Sequence, residues 1–160
     1  MMLCECDLNP PESLDAAFEA FWEQQADVER DAIEAKEFGV KKAFCVKGAR
    51  NLASLVEMRE FAESRVRGVL GAKAELDGVL EPYLDNWAMY RLGTVVRNVL
   101  RLGAWEILHC PDIPNPIAIN EAVDLAKFYS DTQSGRFVNG VLDRLARSSG
   151  AAAKAGAGEA

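Results

Sequence analysis

Thr94-Val-Val-Arg97-Asn-Val-Leu-Arg101-Leu-Gly-Ala-Trp105-Glu106-Ile-Leu-His109, followed at once by Cys110-Pro111-Asp-Ile-Pro114-Asn115-Pro116, decides the fold class. Val96, Leu100, Gly103 and Ile107 recur at steps of four and three, which predicts the buried stripe of a helix over about 94–109. The prolines then end it, because proline has no amide hydrogen and its ring collides with the preceding turn. Asn115 as N-cap, with Pro116 in the first helical position, restarts a helix. Its inner face is Ala118, Ala122, Leu125, Ala126 and Tyr129. Ser130 to Gly135 reads as a turn, after which a last helix buries Phe137, Val138, Val141, Leu142 and Leu145.

Towards the N-terminus the same period continues. Ala62, Val66, Val69, Lys73, Leu76, Leu80 and Tyr83 step by four and three along one long helix, with Lys73 as the interruption in its seam. Gly68, Gly71 and Gly78 each weaken that helix by up to ~1 kcal/mol relative to alanine, so packing must hold it. Leu14, Phe18, Phe21, Trp22 and Gln25 share a face behind Pro10-Pro11 and a Ser13 N-cap. A charged stretch, Asp27 to Glu37, closes at Gly39. The window Val40–Val56 has no acidic residue and gathers Lys41, Lys42, Lys47 and Arg50, reading either as a solvated insertion or as an RNA-contacting arm. The expectation is an all-α chain of about six to seven helices in two small packed helical bundles. Its single domain covers 1–149, with lobes at about 1–81 and 82–149, and an Ala/Gly tail at 150–160 is expected to be disordered.

The chain has 160 residues, 49% of them hydrophobic, and a formal charge of −7. No run approaches ~18 apolar residues, and Met1 to Pro10 lacks the basic-then-apolar pattern of a secretory signal, so a cytoplasmic protein off the membrane is expected. The charge is uneven. The first 81 residues hold 10 basic and 17 acidic side chains, whereas Pro82 to Ser149 holds 7 of each. Phosphate neutralisation dominates nucleic-acid affinity, so any such function here has to come from a local patch. Cys4-x-Cys6, Cys110 and the single His109 lack the paired spacing of a structural zinc site, and the cysteines read as reduced small apolar side chains. Neither a metal nor a cofactor is expected.

Nothing in the sequence assembles a catalytic constellation. One histidine at a helix end is not a triad, no serine sits in a nucleophile elbow, and there is no Gly-x-x-x-x-Gly-Lys phosphate loop. The carboxylates fall mostly on solvent-facing helix positions. A binding protein is expected, not an enzyme, and two features point to its surface. Arg97 and Arg101 stand one turn apart, with Trp105 a turn further on. Like charges at that spacing repel and favour an anionic partner, either RNA or, for Arg101, an internal carboxylate such as Glu106 or Glu121. Arg136-Phe137-Val-Asn139-Gly140 begins the last helix, where an arginine and an aromatic beside a helix N-terminus suit a phosphate and a base. The alternative is that Phe137 is core, Gly140 permits close helix packing and Asn139 bonds a neighbouring loop.

Four ordered blocks then carry a resemblance. Arg97-Asn-Val-Leu-Arg-Leu-Gly-Ala-Trp-Glu106, Asp112-Ile-Pro114, Ala118-Ile-Asn-Glu-Ala-Val-Asp-Leu-Ala-Lys127 and Arg136-Phe-Val-Asn-Gly-Val-Leu-Asp143 closely resemble the bacterial NusB antitermination family. The resemblance covers about Leu3 to Ala146, is strong after Leu76 and is weak from Asp27 to Val56. It implies two small helical bundles joined through a long helix ending near Tyr83, and a non-enzymatic role. It implies a heterodimer with the ribosomal protein NusE that binds boxA RNA in ribosomal RNA leaders. With other Nus factors that heterodimer modifies RNA polymerase to pass terminators, and it assists ribosomal RNA maturation. It adds contact roles for Arg136, Phe137 and Asn139, supports RNA contacts by Lys127 and Arg97, beside which Arg101 is placed in the RNA-binding set, and points to Leu3, Tyr90 and Leu92 as the NusE-facing residues.

The departures are specific. Family members usually open with an arginine-rich segment running into a first helix of the type Ala-Leu-Gln-x-Leu-Tyr. Here Met2-Leu-Cys-Glu-Cys-Asp-Leu8 looks like the end of that helix, with Cys4 where a tyrosine is common. A start assigned too late is the favoured expectation, and loss of the leader's phosphate contacts should lower affinity and salt slope. The family's acidic residue before Arg97 is Val96 here, and the Val40–Val56 insertion is atypical. Two other readings compete: the helical leader domain of a ribosomal RNA cytosine methyltransferase, which also resembles this family, and a structural helical module or homodimer. The chain ends in the Ala/Gly tail where the methyltransferase would continue into a catalytic domain, which counts against the first of these.

Overall fold

The computed structural model describes residues 2–37 and 52–150. Among them are seven α-helices and no strand: α1 (Met2–Leu8), α2 (Leu14–Glu37), α3 (Leu52–Gly71), α4 (Lys73–Leu80), α5 (Thr94–His109), α6 (Asn115–Tyr129) and α7 (Thr132–Ser148). Lys41, Lys42, Lys47 and Arg50 of the basic window, and the tail beyond Gly150, lie outside the described residues. The all-α expectation holds. The chain divides into two compact units, Met1–Arg67 and Gly68–Ala160, so the boundary falls inside α3 and not near residue 81.

In the first unit α1 packs on α2. Ser13 caps α2 as expected, its Oγ accepting from the Ala16 amide at 3.4 Å. Among the described residues of this unit, Met2, Cys6, Phe18 and Val66 are the buried apolar ones. Burial, helped by the neighbouring Glu5 charge, pushes the Cys6 thiol above its ordinary range, which keeps it an unreactive packing group. Gln25, expected on the inner face of α2, is exposed.

The second unit holds α4 to α7. The long helix expected over 62–83 is interrupted at Ala72, which leaves helical dihedrals (φ −103°, ψ 12°) between α3 and α4. Gly68 and Gly71 weaken the last turn of α3, and the backbone yields there. The phase survives the break, because Ala72 N–H reaches Gly68 O at 3.1 Å and Leu76 N–H reaches Ala72 O at 2.9 Å. Leu76 and Leu80 therefore stay on the buried seam. A 3-10 turn over Glu81–Tyr83 follows. Asp85 and Asn86 then adopt left-handed φ values of 46° and 72°, which their short polar side chains tolerate better than other residues do. Arg144 of α7 fixes this turn, donating to both Asp85 carboxylate oxygens at 2.8 Å and to Tyr83 O at 2.6 Å.

The core of this unit is the meeting of α5, α6 and α7, where Leu100, Ile107, Val138, Val141 and Leu142 are fully buried. Burying each such side chain is worth about 2 kcal/mol. Small residues set the approach: Gly103 of α5 leaves room for the Leu142 side chain and the Ala122 methyl. Two boundaries differ from the sequence reading. The cap of α6 is Pro114, one residue earlier than expected, which puts Pro116 in the second helical position. Helix α7 begins at Thr132, because Asp131 is already its N-cap and shortens the Ser130–Gly135 turn to two residues. Tyr129, placed on the inner face of α6, is 38% exposed, standing edge-on to the more exposed Phe128 at 4.7 Å.

Candidate nucleic-acid interface

The corner between α6 and α7 brings together most of the residues singled out for RNA. Ala126 is fully buried and anchors the last turn of α6, so Lys127 next to it emerges at the edge facing α7. Gly135 is buried opposite. A methyl there would lie 2.7 Å from Lys127 Cγ and 3.2 Å from its Cε, so the lysine stem runs across the glycine. The absence of a side chain at 135 is what lets Lys127 lie against the first turn of α7, with its ammonium only loosely engaged by Asp124 at 3.7 Å. Arg136 and Asn139, one turn apart on α7, are both exposed, while Phe137 is half-buried. Phe137 therefore contributes to packing and still presents part of its ring.

The N-terminus of α7 is not open to a phosphate, contrary to the sequence expectation. Asp131 Oδ1 accepts from the Ser134 amide at 2.6 Å, and Ser134 Oγ lies 2.9 Å from Ser130 Oγ. The Ser134 amide and hydroxyl, with the Gln133 amide, hold the Asp131 carboxyl below the ordinary carboxylate range. A carboxylate thus already occupies the polarised end of the helix, and the cationic side chains at this corner are Lys127 and Arg136. The Asp131-x-x-Ser134 spacing is the signal that could have revealed the cap.

Arg97 and Arg101 fare differently. Arg97 sits in the first turn of α5 and is half-buried. Arg101 is only 4% exposed, and its guanidinium grips Asp77 of α4, Nε to Oδ1 at 2.6 Å and Nη2 to Oδ2 at 2.7 Å, with Nη1 to Asn98 Oδ1 at 3.2 Å. Its expected RNA contact is corrected: with the guanidinium enclosed and paired, Arg101 is structural. The carboxylate it takes is Asp77, a partner the sequence reading did not name.

Of the residues assigned to a protein partner, Leu3 belongs to the first unit and is half-buried. In the second unit Leu92 is half-buried and Tyr90 is 79% exposed, on a 3-10 turn over Met89–Arg91 whose Met89 is buried. Trp87, which sequence reasoning did not assign to a surface, is also exposed there. No described helix is long and apolar enough to cross a membrane.

The second unit is thus an all-α unit with a cationic, part-aromatic corner on a close-packed three-helix core, the class of a helical binding module. Comparison with known proteins narrows the class. The NusB family model matches residues 12–147. The transcription antitermination protein NusB of Listeria monocytogenes serotype 4b is 46% identical over 90 residues, which is 56% of this chain and 70% of the relative. A crystal structure of T. maritima NusB superposes with a TM-score of 0.55 at 32% identity, covering 81% of this chain and 84% of the other. A chain in a crystal structure of antitermination factors NusB and NusE in complex with dsRNA gives 0.61 at 26% identity, covering 92% and 89%. This chain belongs to the NusB family, a family of non-enzymatic transcription antitermination factors.

Proposed function

We propose that this protein binds boxA RNA as a heterodimer with NusE and, together with other Nus factors, modifies RNA polymerase so that ribosomal RNA transcription passes terminators. The observation that carries the reading is the α6–α7 corner, where the Lys127 stem lies across Gly135 and Arg136 and Asn139 stand exposed on the next turns. Lys127 and Arg136 hold backbone phosphates, Asn139 hydrogen-bonds a base edge, and the open part of the Phe137 ring stacks on a base. Arg97 serves as a further phosphate contact. Leu3, Tyr90 and Leu92 face NusE. The likeness to a chain of the NusB–NusE–dsRNA assembly supports both partners.

The test is fluorescence anisotropy of a labelled boxA RNA titrated with the protein at two salt concentrations, with and without NusE. Binding that strengthens when NusE is added, and weakens with salt, is the expected result. An RNA that stays free at low salt with NusE present overturns the reading.

A further inference from the structure

The first unit contains a cleft between α2 and α3 that the RNA reading does not use. It has a volume of about 430 Å³, and its α2 wall carries Asp15, Phe18, Glu19, Trp22 and Glu23. Across it, α3 contributes Arg59 and Glu63. We propose that this cleft is a docking site for a basic polypeptide segment, one that presents arginine side chains.

Three observations carry this. The lining is anionic: of its four carboxylates Asp15 is paired to Arg67, leaving Glu19, Glu23 and Glu63 against Arg59. Among these, Glu19 and Glu23 are exposed, one turn apart on the same face of α2, where like charges repel and an incoming cation is favoured. The walls are also aromatic, and the chain itself shows what they accept. The Arg59 guanidinium lies over the Trp22 ring at 5.1 Å, and that of Arg67, which is paired to Asp15, lies over Phe18 at 4.7 Å. Phe18 is fully buried beneath Arg67, whereas Trp22 is half-buried and keeps part of its ring open beside Arg59, and a planar cation that stacks and forks suits that edge better than a compact ammonium. Finally, the anionic lining is partly fixed in advance. Trp22 Nε1 donates to Glu63 Oε1 at 2.7 Å, so the carboxylate needs little ordering when a partner arrives.

The same features argue against other occupants. The excess of carboxylates over guanidinium groups repels a phosphate backbone, so the cleft is not an extension of an RNA surface. Among the described residues no group of three or more histidine, cysteine or acidic side chains is disposed to hold a metal ion.

The experiment uses the full chain and a short fluorescein-labelled peptide of alternating arginine and glycine, followed by anisotropy without RNA. Glu19→Gln/Glu23→Gln alters two exposed side chains and should weaken the peptide about tenfold, as removal of complementary charge at a contact does. Asp112→Asn/Glu121→Gln removes the same two charges from the second unit and should change affinity less than about twofold. Peptide binding should also change Trp22 emission in a variant carrying Trp87→Phe and Trp105→Phe, and an alternating lysine peptide should bind several-fold more weakly than the arginine one. Equal losses in the two charge-matched variants, or unaltered binding by Glu19→Gln/Glu23→Gln with unchanged far-ultraviolet circular dichroism, overturn the proposal.

Discussion

Arg101 of α5 and Asp77 of α4 form a two-bond ion pair, at 2.6 and 2.7 Å, in which the arginine is almost wholly enclosed and the aspartate keeps 29% of its side chain in solvent. The pair ties the short helix α4 to the centre of the second unit. Asp77→Ala leaves a buried guanidinium without its carboxylate and should cost about 3 kcal/mol, at the lower end for a broken buried pair because Asp77 is partly wet. The double variant Asp77→Leu/Arg101→Met removes both charges and should recover most of that loss. Urea unfolding followed through Trp105 emission, in a background carrying Trp22→Phe and Trp87→Phe, measures both. A single variant as stable as the parent would show that the pair contributes nothing.

That pair also marks the limit of what the sequence disclosed. Helical period placed α5, α6 and α7, because their buried faces are built from local steps of three and four residues. Arg101's need for an anion was equally legible in its spacing from Arg97. Its partner was not, since Asp77 lies 24 residues away and nothing local couples the two. The break at Ala72 escaped for the opposite reason: the seam keeps its phase through it, so periodicity sees one helix where the backbone makes two. At the candidate interface, Arg136, Asn139 and Lys127 are exposed as an RNA surface requires. The enclosure of Arg101 and the closing of the α7 N-terminus by Asp131 depend on side-chain packing that spacing does not encode.

The Asp131 cap predicts an acid-sensitive helix start. Its carboxyl lies below the ordinary value of 3.8 in the folded protein, so the cap's stabilising effect is fully present above that pH. It is lost as the pH falls through the lower folded value, where the protonated carboxyl no longer accepts as a charged group. Asp131→Asn keeps an acceptor at the cap and should leave the neutral-pH melting temperature nearly unchanged while flattening this part of the acid profile. Asp131→Ala should lower the melting temperature at neutral pH as well. Thermal melts between neutral pH and about pH 2 decide it, and parallel acid profiles for wild type and Asp131→Asn would refute the cap's role.

Two glycines in helices should respond oppositely to alanine. At Gly78, in α4, an added methyl meets nothing within 4 Å, so Gly78→Ala should stabilise by up to ~1 kcal/mol through helix propensity and lowered chain entropy. At Gly103 the same methyl runs into the Leu142 side chain and comes within 3.2 Å of the Ala122 Cβ. The propensity gain is then outweighed by overpacking, a net loss of about 1–2 kcal/mol. Differential scanning calorimetry of the two variants should show melting temperatures on either side of the parent's.

The RNA surface predicts two kinds of loss that a single affinity would confuse. Lys127→Gln and Arg136→Gln each remove one proposed phosphate contact, so each should reduce the salt slope of boxA binding by about 0.7, the single-strand value per phosphate. Phe137→Leu keeps the packed part of the side chain and removes the stacking face. It should weaken binding by about 1–3 kcal/mol with the slope unchanged. Gly135→Ala is the sharpest probe, because it deletes no contact group. Its methyl would sit 2.7 Å from Lys127 Cγ and push the lysine stem away from α7. It should therefore reproduce the reduced slope of Lys127→Gln while the lysine is still present, and add nothing when combined with that variant. Additive losses would mean that Gly135 acts on RNA by some route other than positioning Lys127.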